Sequence, residues 1–281
     1  MECALENLKI YYEIYGEGYP VLMIHGWPVD HRIMKGCMEP IFETRPDYKR
    51  IYFDLPGMGK TKGEEWIKST DDFLKVTLEF IEKVIPDHNF IIVSESYGSY
   101  LARGLIKKKH AFIDGILFLV PLIVPLKDQR EVPNPIVLIK DTETFSSLSP
   151  FEAEILEDVA TVINQRTWER GKEEGISGLN IADMDFLNKV QEKGYAFSYD
   201  VDKTYNKFDK PTLFFLGRQD SIVGYQDAWK IIEKYPRATF VVLDKAGHIA
   251  QMEQEELFNT LVNEWLDRVE YNISLLNNKE K

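Results

Sequence analysis

The stretch Phe90-Ile91-Ile92-Val93-Ser94-Glu95-Ser96-Tyr97-Gly98 leaves this chain few ways to fold. A short continuous apolar run bounded by turn residues suits a strand buried on both faces. Immediately afterwards Ser99-Tyr100-Leu101-Ala102-Arg103-Gly104-Leu105-Ile106 reads as a helix. A strand, a very tight turn and a helix put the Ser96 hydroxyl at the apex of the turn. Small residues at Ser94 and Gly98 let strand and helix pass close beside it. This is the small-x-Ser-x-small pattern of a nucleophile elbow, which makes Ser96 a candidate for attack on a carbonyl.

Other apolar runs repeat the design. Residues 8–15 alternate as a strand and turn at Gly16-Glu17-Gly18. Val21-Leu22-Met23-Ile24 ends in His25-Gly26-Trp27-Pro28, and Arg50-Ile51-Tyr52-Phe53 ends in Asp54-Leu55-Pro56-Gly57-Met58-Gly59. Ser69-Thr70-Asp71-Asp72 reads as an N-cap with acidic first-turn residues. Phe73, Val76, Thr77, Phe80, Ile81 and Val84 then keep a helical period. Residues 115–120 form a further strand. Late in the chain, Thr212-Leu213-Phe214-Phe215-Leu216 ends in Gly217-Arg218-Gln219-Asp220, and Thr239-Phe240-Val241-Val242-Leu243 ends in Asp244-Lys245-Ala246-Gly247-His248. Helices are expected over 226–234 and about 255–269, and the tail 277–281 is expected to fray. Strands alternating with helices predict an α/β fold, a mostly parallel sheet covered on both faces.

Residues of about 121–207 break this rhythm. Pro121, Pro125, Pro133 and Pro135 open the stretch, a helical run covers 151–163, and no clear buried strand is visible. It reads as a mainly helical insertion over the sheet.

Composition excludes several roles. The formal charge of −12 argues against a nucleic-acid partner. The one basic cluster, Lys107-Lys108-Lys109-His110, falls where the helix after the elbow should end, and cations there complement its dipole. Cys3 and Cys37 make neither zinc spacing nor a disulfide framework. The five histidines, His25, His31, His88, His110 and His248, show no ligand spacing, so no metal and no organic cofactor is expected. The N-terminus carries no apolar signal segment and no run reaches transmembrane length, so a soluble cytoplasmic protein without membrane contact is expected. Monomer and homodimer are not distinguished.

Each interesting polar group falls just past the carboxyl end of a strand, the edge where open parallel sheets bind ligands. Ser96, Asp220 and His248 occur in the order nucleophile, acid, base. A serine hydroxyl needs a base within hydrogen-bond reach; His248 can take its proton and return it to the leaving group. Asp220 would hold the imidazole tautomer and stabilise the imidazolium. Taken singly, each residue has a plainer reading, and Asp220 equally suits a cap for the segment after it. Asp244 is a rival acid, but lies only four residues before His248. Asp54 reads as structural.

These segments together resemble the α/β-hydrolase superfamily with a helical cap. His25-Gly26-Trp27-Pro28 is similar to its HGxP oxyanion loop and Asp54-Leu55-Pro56-Gly57-Met58-Gly59 to its D-x-x-G-x-G turn. The elbow, Gly217-Arg218-Gln219-Asp220 and Gly247-His248 complete the set. The likeness covers roughly 8–122 and 208–269, and is specific for the superfamily rather than for a substrate. One position departs: Ser94 stands where glycine is commonest.

The resemblance implies a core of 1–122 and 208–281, with a cap of 123–207 inserted after the sixth strand. It implies an oxyanion hole from the backbone N–H groups of Trp27 and Tyr97, with His25 bonded inside its own loop. It implies acyl transfer to water through an acyl-enzyme on Ser96, with a small-molecule acyl substrate. A carboxylic ester is the first expectation. A proline iminopeptidase-like aminopeptidase, a carbon–carbon bond hydrolase and a non-catalytic ligand-binding member are the alternatives. Glu152, Glu154, Glu157, Asp158 and Glu169 either receive a substrate amino group or form a solvated face. Trp27, Phe145, Phe151 and Trp168 are candidate substrate contacts; the last three, with Phe186, equally suit the core of the cap.

Overall fold

The computed structural model describes residues 1–203 and 205–279, the side chains of 277–279 excepted. Eight strands build the main sheet. Six precede the insertion: β1 (Glu2–Ala4), β2 (Lys9–Tyr15), β3 (Tyr19–Ile24), β4 (Tyr48–Phe53), β5 (Phe90–Glu95) and β6 (Ile113–Leu119). Within the insertion, β7 (Ile139–Lys140) and β8 (Val162–Ile163) pair in parallel as a separate two-residue ladder. The last two strands, β9 (Thr212–Gly217) and β10 (Ala238–Leu243), return to the main sheet. Its order is β1-β2-β4-β3-β5-β6-β9-β10. β1 and β2 pair antiparallel, as do β2 and β4, and the other neighbours are parallel. Every residue of β5, β6 and β9 is buried, which is why these segments read as continuous apolar runs.

Helices flank the sheet. α1 (Arg32–Phe42) packs with the long C-terminal helix, while α2 (Thr70–Val84) packs with α3 (Tyr97–Lys109). Ser69 and Asp72 close a capping box at the start of α2, and Lys107, Lys108 and Lys109 end α3 as the dipole argument expects. The insertion supplies α4 (Thr142–Ser146), α5 (Pro150–Val159), α6 (Gln165–Arg170), a π-helical turn Gly171–Ile176, α7 (Ser177–Leu179) and α8 (Met184–Gly194). After it come α9 (Gln226–Lys230), α10 (Ala250–Glu253) and α11 (Glu255–Lys279).

Three expectations need correction. The helix expected over 151–163 ends at Val159, and Val162 and Ile163 form a buried strand where none was expected; two residues are too short to show a period. The helix expected over 226–234 stops at Lys230 and tightens into a 3-10 turn at Ile232–Lys234. The last helix runs ten residues past Val269, and its buried Val262, Trp265, Leu266 and Val269 cover β6 and β9. Glu280 and Lys281, in the tail expected to fray, lie outside the described residues. Among the described residues, no helix is long and apolar enough to cross a membrane.

The elbow connects β5 to α3. Ser96 takes φ 48° and ψ −114°, a left-handed conformation that non-glycine residues rarely adopt. It is held by neighbours: its N–H donates to the Leu119 carbonyl and its carbonyl accepts from the Leu122 N–H, both at 3.0 Å. The serine at position 94 is accommodated because its hydroxyl donates to the Leu117 carbonyl at 3.0 Å, so a buried polar group is satisfied. Gly98 has no such latitude. A Cβ there would lie 2.3 Å from the Ile24 carbonyl oxygen of the neighbouring strand. Gly98→Ala is therefore expected to destabilise the fold by about 3 kcal/mol, read as a shift in the urea midpoint at unchanged m-value. An unshifted midpoint would show that the strand end can yield.

Candidate active site

Four loops leave the carboxyl ends of parallel strands and meet at one edge of the sheet. β3 leads to His25-Gly26-Trp27, β5 to Ser96, β9 to Asp220 and β10 to His248. Because the strands are parallel, side chains 152 residues apart in sequence come within hydrogen-bond distance. His248 Nε2 lies 3.0 Å from Ser96 Oγ, and His248 Nδ1 lies 2.9 Å from Asp220 Oδ2. Asp220 is 1% exposed and Ser96 7% exposed, so the chain of bonds is largely shielded from water.

Asp220 satisfies both of its sequence readings at once. Its Oδ1 accepts the N–H groups of Ile222 and Val223, at 2.9 and 3.0 Å, while Oδ2 faces the imidazole. The carboxylate is thereby fixed in orientation before it acts on the ring. Asp244, the rival acid, is exposed and lies 3.4 Å from the Gln219 side-chain amide. Burial lowers the proton affinity of His248, but the Asp220 charge and hydrogen bond, with Glu95 behind them, outweigh it and hold the imidazole above its ordinary value.

The oxyanion candidates are backbone groups. Among the hydrogen bonds of the described residues, neither the Trp27 nor the Tyr97 N–H has an acceptor. Tyr97 is the first residue of α3, so its N–H is one of the free donors of a helix start and lies at the positive end of the dipole. The Trp27 ring is set edge-on to the Tyr97 ring at 5.1 Å and to the Tyr195 ring at 5.3 Å. His25 bonds inside its loop: Nδ1 donates to the Gly26 carbonyl at 2.7 Å and Nε2 accepts the Leu55 N–H at 3.0 Å. Asp54 accepts the His31 ring and the N–H groups of His31 and Lys60, holding its turn. Asp30, His31 and Asp54 form a buried cluster of metal-ligating types, but Asp30 is taken up by Arg32 and Asp54 by the bonds just named.

Two site residues went unread in the sequence. Glu95 is buried, and its Oε1 lies 3.7 Å from His248 Nε2, on the Ser96 side of the ring. Burial pushes its carboxyl up to about 7, against the attraction of His248 and the Gly26 N–H. The available signal was a carboxylate closing an otherwise apolar strand, since an isolated buried Glu is rare. Glu253 accepts the N–H groups of Gly247, Thr161 and Val162 at 2.5, 2.5 and 2.7 Å. It ties the His248 loop to the insertion, as does the His248 N–H, which donates to the Val159 carbonyl at 2.8 Å. Nothing in the sequence marked it, because its partners are backbone groups, two of them 91 and 92 residues away.

A cavity of about 150 Å³ opens beside Trp27, Glu95 and His248. Its other walls are apolar, chiefly Ile155, Leu156 and Val159 of α5, Ile176, and Met252. Of the expected substrate contacts, Trp27 lines it and the three from the insertion do not. Phe151 lies one turn outside on α5 and is 53% exposed. Phe145 packs under the Lys140 ammonium and Trp168 under that of Lys172. Phe186 packs against Phe73. The acidic residues of the insertion are occupied elsewhere: Glu152 closes a capping box with Ser149, Glu157 pairs with Lys140, Glu169 accepts from Gln165, and Glu154 and Asp158 are exposed. A wider groove of about 510 Å³ between α2 and α3, lined by Asp71, Lys75, Glu82 and Lys108, includes none of Ser96, Asp220 and His248.

The chain is similar to known proteins over most of its length. The family described as alpha/beta hydrolase fold matches residues 19–255. The pimeloyl-[acyl-carrier protein] methyl ester esterase of Legionella pneumophila (strain Corby) is 25% identical over 270 residues, covering 92% of this chain and 100% of its own. The 2-hydroxy-6-oxo-6-(2'-aminophenyl)hexa-2,4-dienoic acid hydrolase of Metapseudomonas resinovorans is 23% identical, covering 90% of this chain and 86% of its own. Among solved structures, an alpha/beta superfamily hydrolase from Oenococcus oeni PSU-1 superposes with a TM-score of 0.86 at 26% identity, over 96% of this chain and 99% of that one.

Proposed function

Since the chain belongs to the alpha/beta hydrolase family, we propose that it is a serine hydrolase cleaving a carboxylic ester of a small molecule. The observation that carries this reading is the pair of hydrogen bonds on His248, 3.0 Å to Ser96 Oγ and 2.9 Å to Asp220 Oδ2. As Ser96 Oγ attacks the ester carbonyl, its proton passes to His248 Nε2. The oxyanion accepts the N–H groups of Trp27 and Tyr97, each worth about 3 kcal/mol of transition-state stabilisation. His248 then protonates the leaving alkoxide, and a water activated by the same ring releases the acid. Asp220 keeps Nδ1 protonated throughout, so that Nε2 is free to act as base.

The reading includes residues 123–207 as a cap over a core of 1–122 and 208–281. It includes a cytoplasmic setting, in keeping with two buried free cysteines, and a small-molecule acyl substrate with no nucleic-acid or membrane partner. An ester is favoured over an N-terminal peptide bond because the acidic side chains of the insertion line none of the cavity beside His248. A fluorophosphonate probe should label Ser96, and a short-chain p-nitrophenyl ester should give a burst equal to the enzyme concentration. Purified protein that takes no label at Ser96 and turns over no ester, thioester, amide or lactone would sink the proposal.

Glu95 adds a test of the electrostatics. With its carboxyl at about 7, Glu95 is partly ionised near neutral pH; that ionised fraction favours the imidazolium form of His248, so Glu95→Gln lowers the proton affinity of the ring. Activity needs the neutral imidazole. The acid limb of the kcat/KM profile is therefore expected to move to lower pH. A limb that stays in place would show that Glu95 does not act on the ring.

A further inference from the structure

Gly175 stands apart from the other glycines of the fold. A Cβ on most of them would strike a neighbour: 2.1 Å from Glu174 at Gly36, 2.3 Å from the Ile24 carbonyl at Gly98, 2.3 Å from the Gly247 carbonyl at Gly217. A Cβ on Gly175 meets nothing within 4 Å, and the residue does not take the left-handed φ that favours glycine. Neither packing nor backbone conformation therefore accounts for the missing side chain, and glycine inside a helical turn costs roughly 1 kcal/mol relative to alanine.

The space in front of Gly175 is the cavity beside His248, and Gly171 lines it too. A Cβ on Gly171 would meet only Leu156 Cδ2, at 3.7 Å. Both glycines belong to the π-helical turn Gly171–Ile176, whose extra residue per turn widens the backbone spiral at this wall. The turn is anchored. Arg170 grips the Glu174 carboxylate at 2.7 and 3.0 Å, and its other nitrogen donates to the Gln251 carbonyl at 3.2 Å. The gap is thus held open by fixed walls, with Ile155 and Leu156 of α5 beside it.

We propose that Gly175 sets the length of acyl chain the enzyme accepts, the chain running from Ser96 past His248 and ending against this turn. The proposal rests on Ser96 as nucleophile and deepens that reading by naming the substrate class, esters of unbranched apolar acids. A cavity of about 150 Å³ with mostly apolar walls has the volume of a benzene-sized ligand, which corresponds to about six carbons of chain. The acyl side is assigned because the acyl group stays bound through deacylation and gains from an enclosed apolar site, whereas the alcohol must leave after the first step.

The test is kcat/KM for p-nitrophenyl esters from acetate to decanoate, for wild type, Gly175→Ala and Gly175→Leu. Wild type should prefer chains near hexanoate. Each methylene excluded from the cavity costs about fourfold, so Gly175→Leu should lower the hexanoate-to-acetate ratio tenfold or more, and Gly175→Ala by a smaller step. The ratio is taken within each variant, so a general loss of activity cancels. If the leucine variant does not fold, the alanine variant decides by the same ratio. A chain-length profile parallel to wild type overturns the proposal, as does a profile that responds only when the alcohol is lengthened. Both results presuppose Ser96-dependent turnover by wild type; its absence would instead overturn the nucleophile assignment.

Discussion

Ser96→Ala is expected to lower kcat for ester hydrolysis by about 10⁶-fold while leaving the fold intact. The chemical loss is complete at one atom, because among the described residues Ser96 supplies the hydroxyl bonded to His248 Nε2, at 3.0 Å. The structural cost is small for a specific reason. Ser96 already holds a left-handed φ of 48°, and alanine meets the same steric penalty there as serine. The backbone bonds to Leu119 and Leu122 that hold the turn do not involve the side chain. Thermal melting should therefore barely move, and labelling by a fluorophosphonate should vanish. A variant keeping more than a hundredth of wild-type kcat would place the nucleophile elsewhere.

Asp220→Asn is expected to cost about 10⁴-fold in kcat. The asparagine carbonyl can keep the bonds from the Ile222 and Val223 N–H groups, so the loop keeps its shape. Its amide then points at His248 Nδ1 as a donor, where the carboxylate accepted at 2.9 Å. The ring must answer with an unprotonated Nδ1 and carry its proton on Nε2, the tautomer that cannot accept from Ser96. Because Asp220 also holds the imidazole above its ordinary proton affinity, what activity remains should show its acid limb at lower pH. The same change at the exposed Asp244 should leave kcat alone. Pre-steady-state measurement of the acylation rate checks both variants, and an Asp220→Asn enzyme within tenfold of wild type would remove Asp220 from the relay.

Much of the core was legible because its signals are local. The runs at 21–24, 51–53, 90–93 and 213–216 are apolar without interruption, because each strand is covered on both faces. The elbow is written in five adjacent residues, with close approach at Gly98 requiring the small side chain that the pattern contains. The insertion was less legible. Its helical character was readable over 151–159, where α5 forms, but which faces turn toward Ser96 was not. Phe151 and Ile155 lie one turn apart on α5, and only Ile155 lines the cavity. Of the aromatic residues singled out, Trp27 lines the cavity, while the part of its wall that the insertion supplies is made of aliphatic side chains and two glycines.

By itself, the sequence determined the strand-to-helix rhythm, the elbow and the order of Ser96, Asp220 and His248. Those features depend on periodicity, turn chemistry and side-chain size over a few residues. Only the tertiary structure decided that Glu95 faces His248 at 3.7 Å, that Glu253 ties the His248 loop to the insertion, and that Gly175 opens onto the cavity. Each of these is a relation between segments far apart in the chain. Such relations are set by how α5, the π-helical turn and the parallel strand ends pack together, and no local pattern names the partner that a residue will meet.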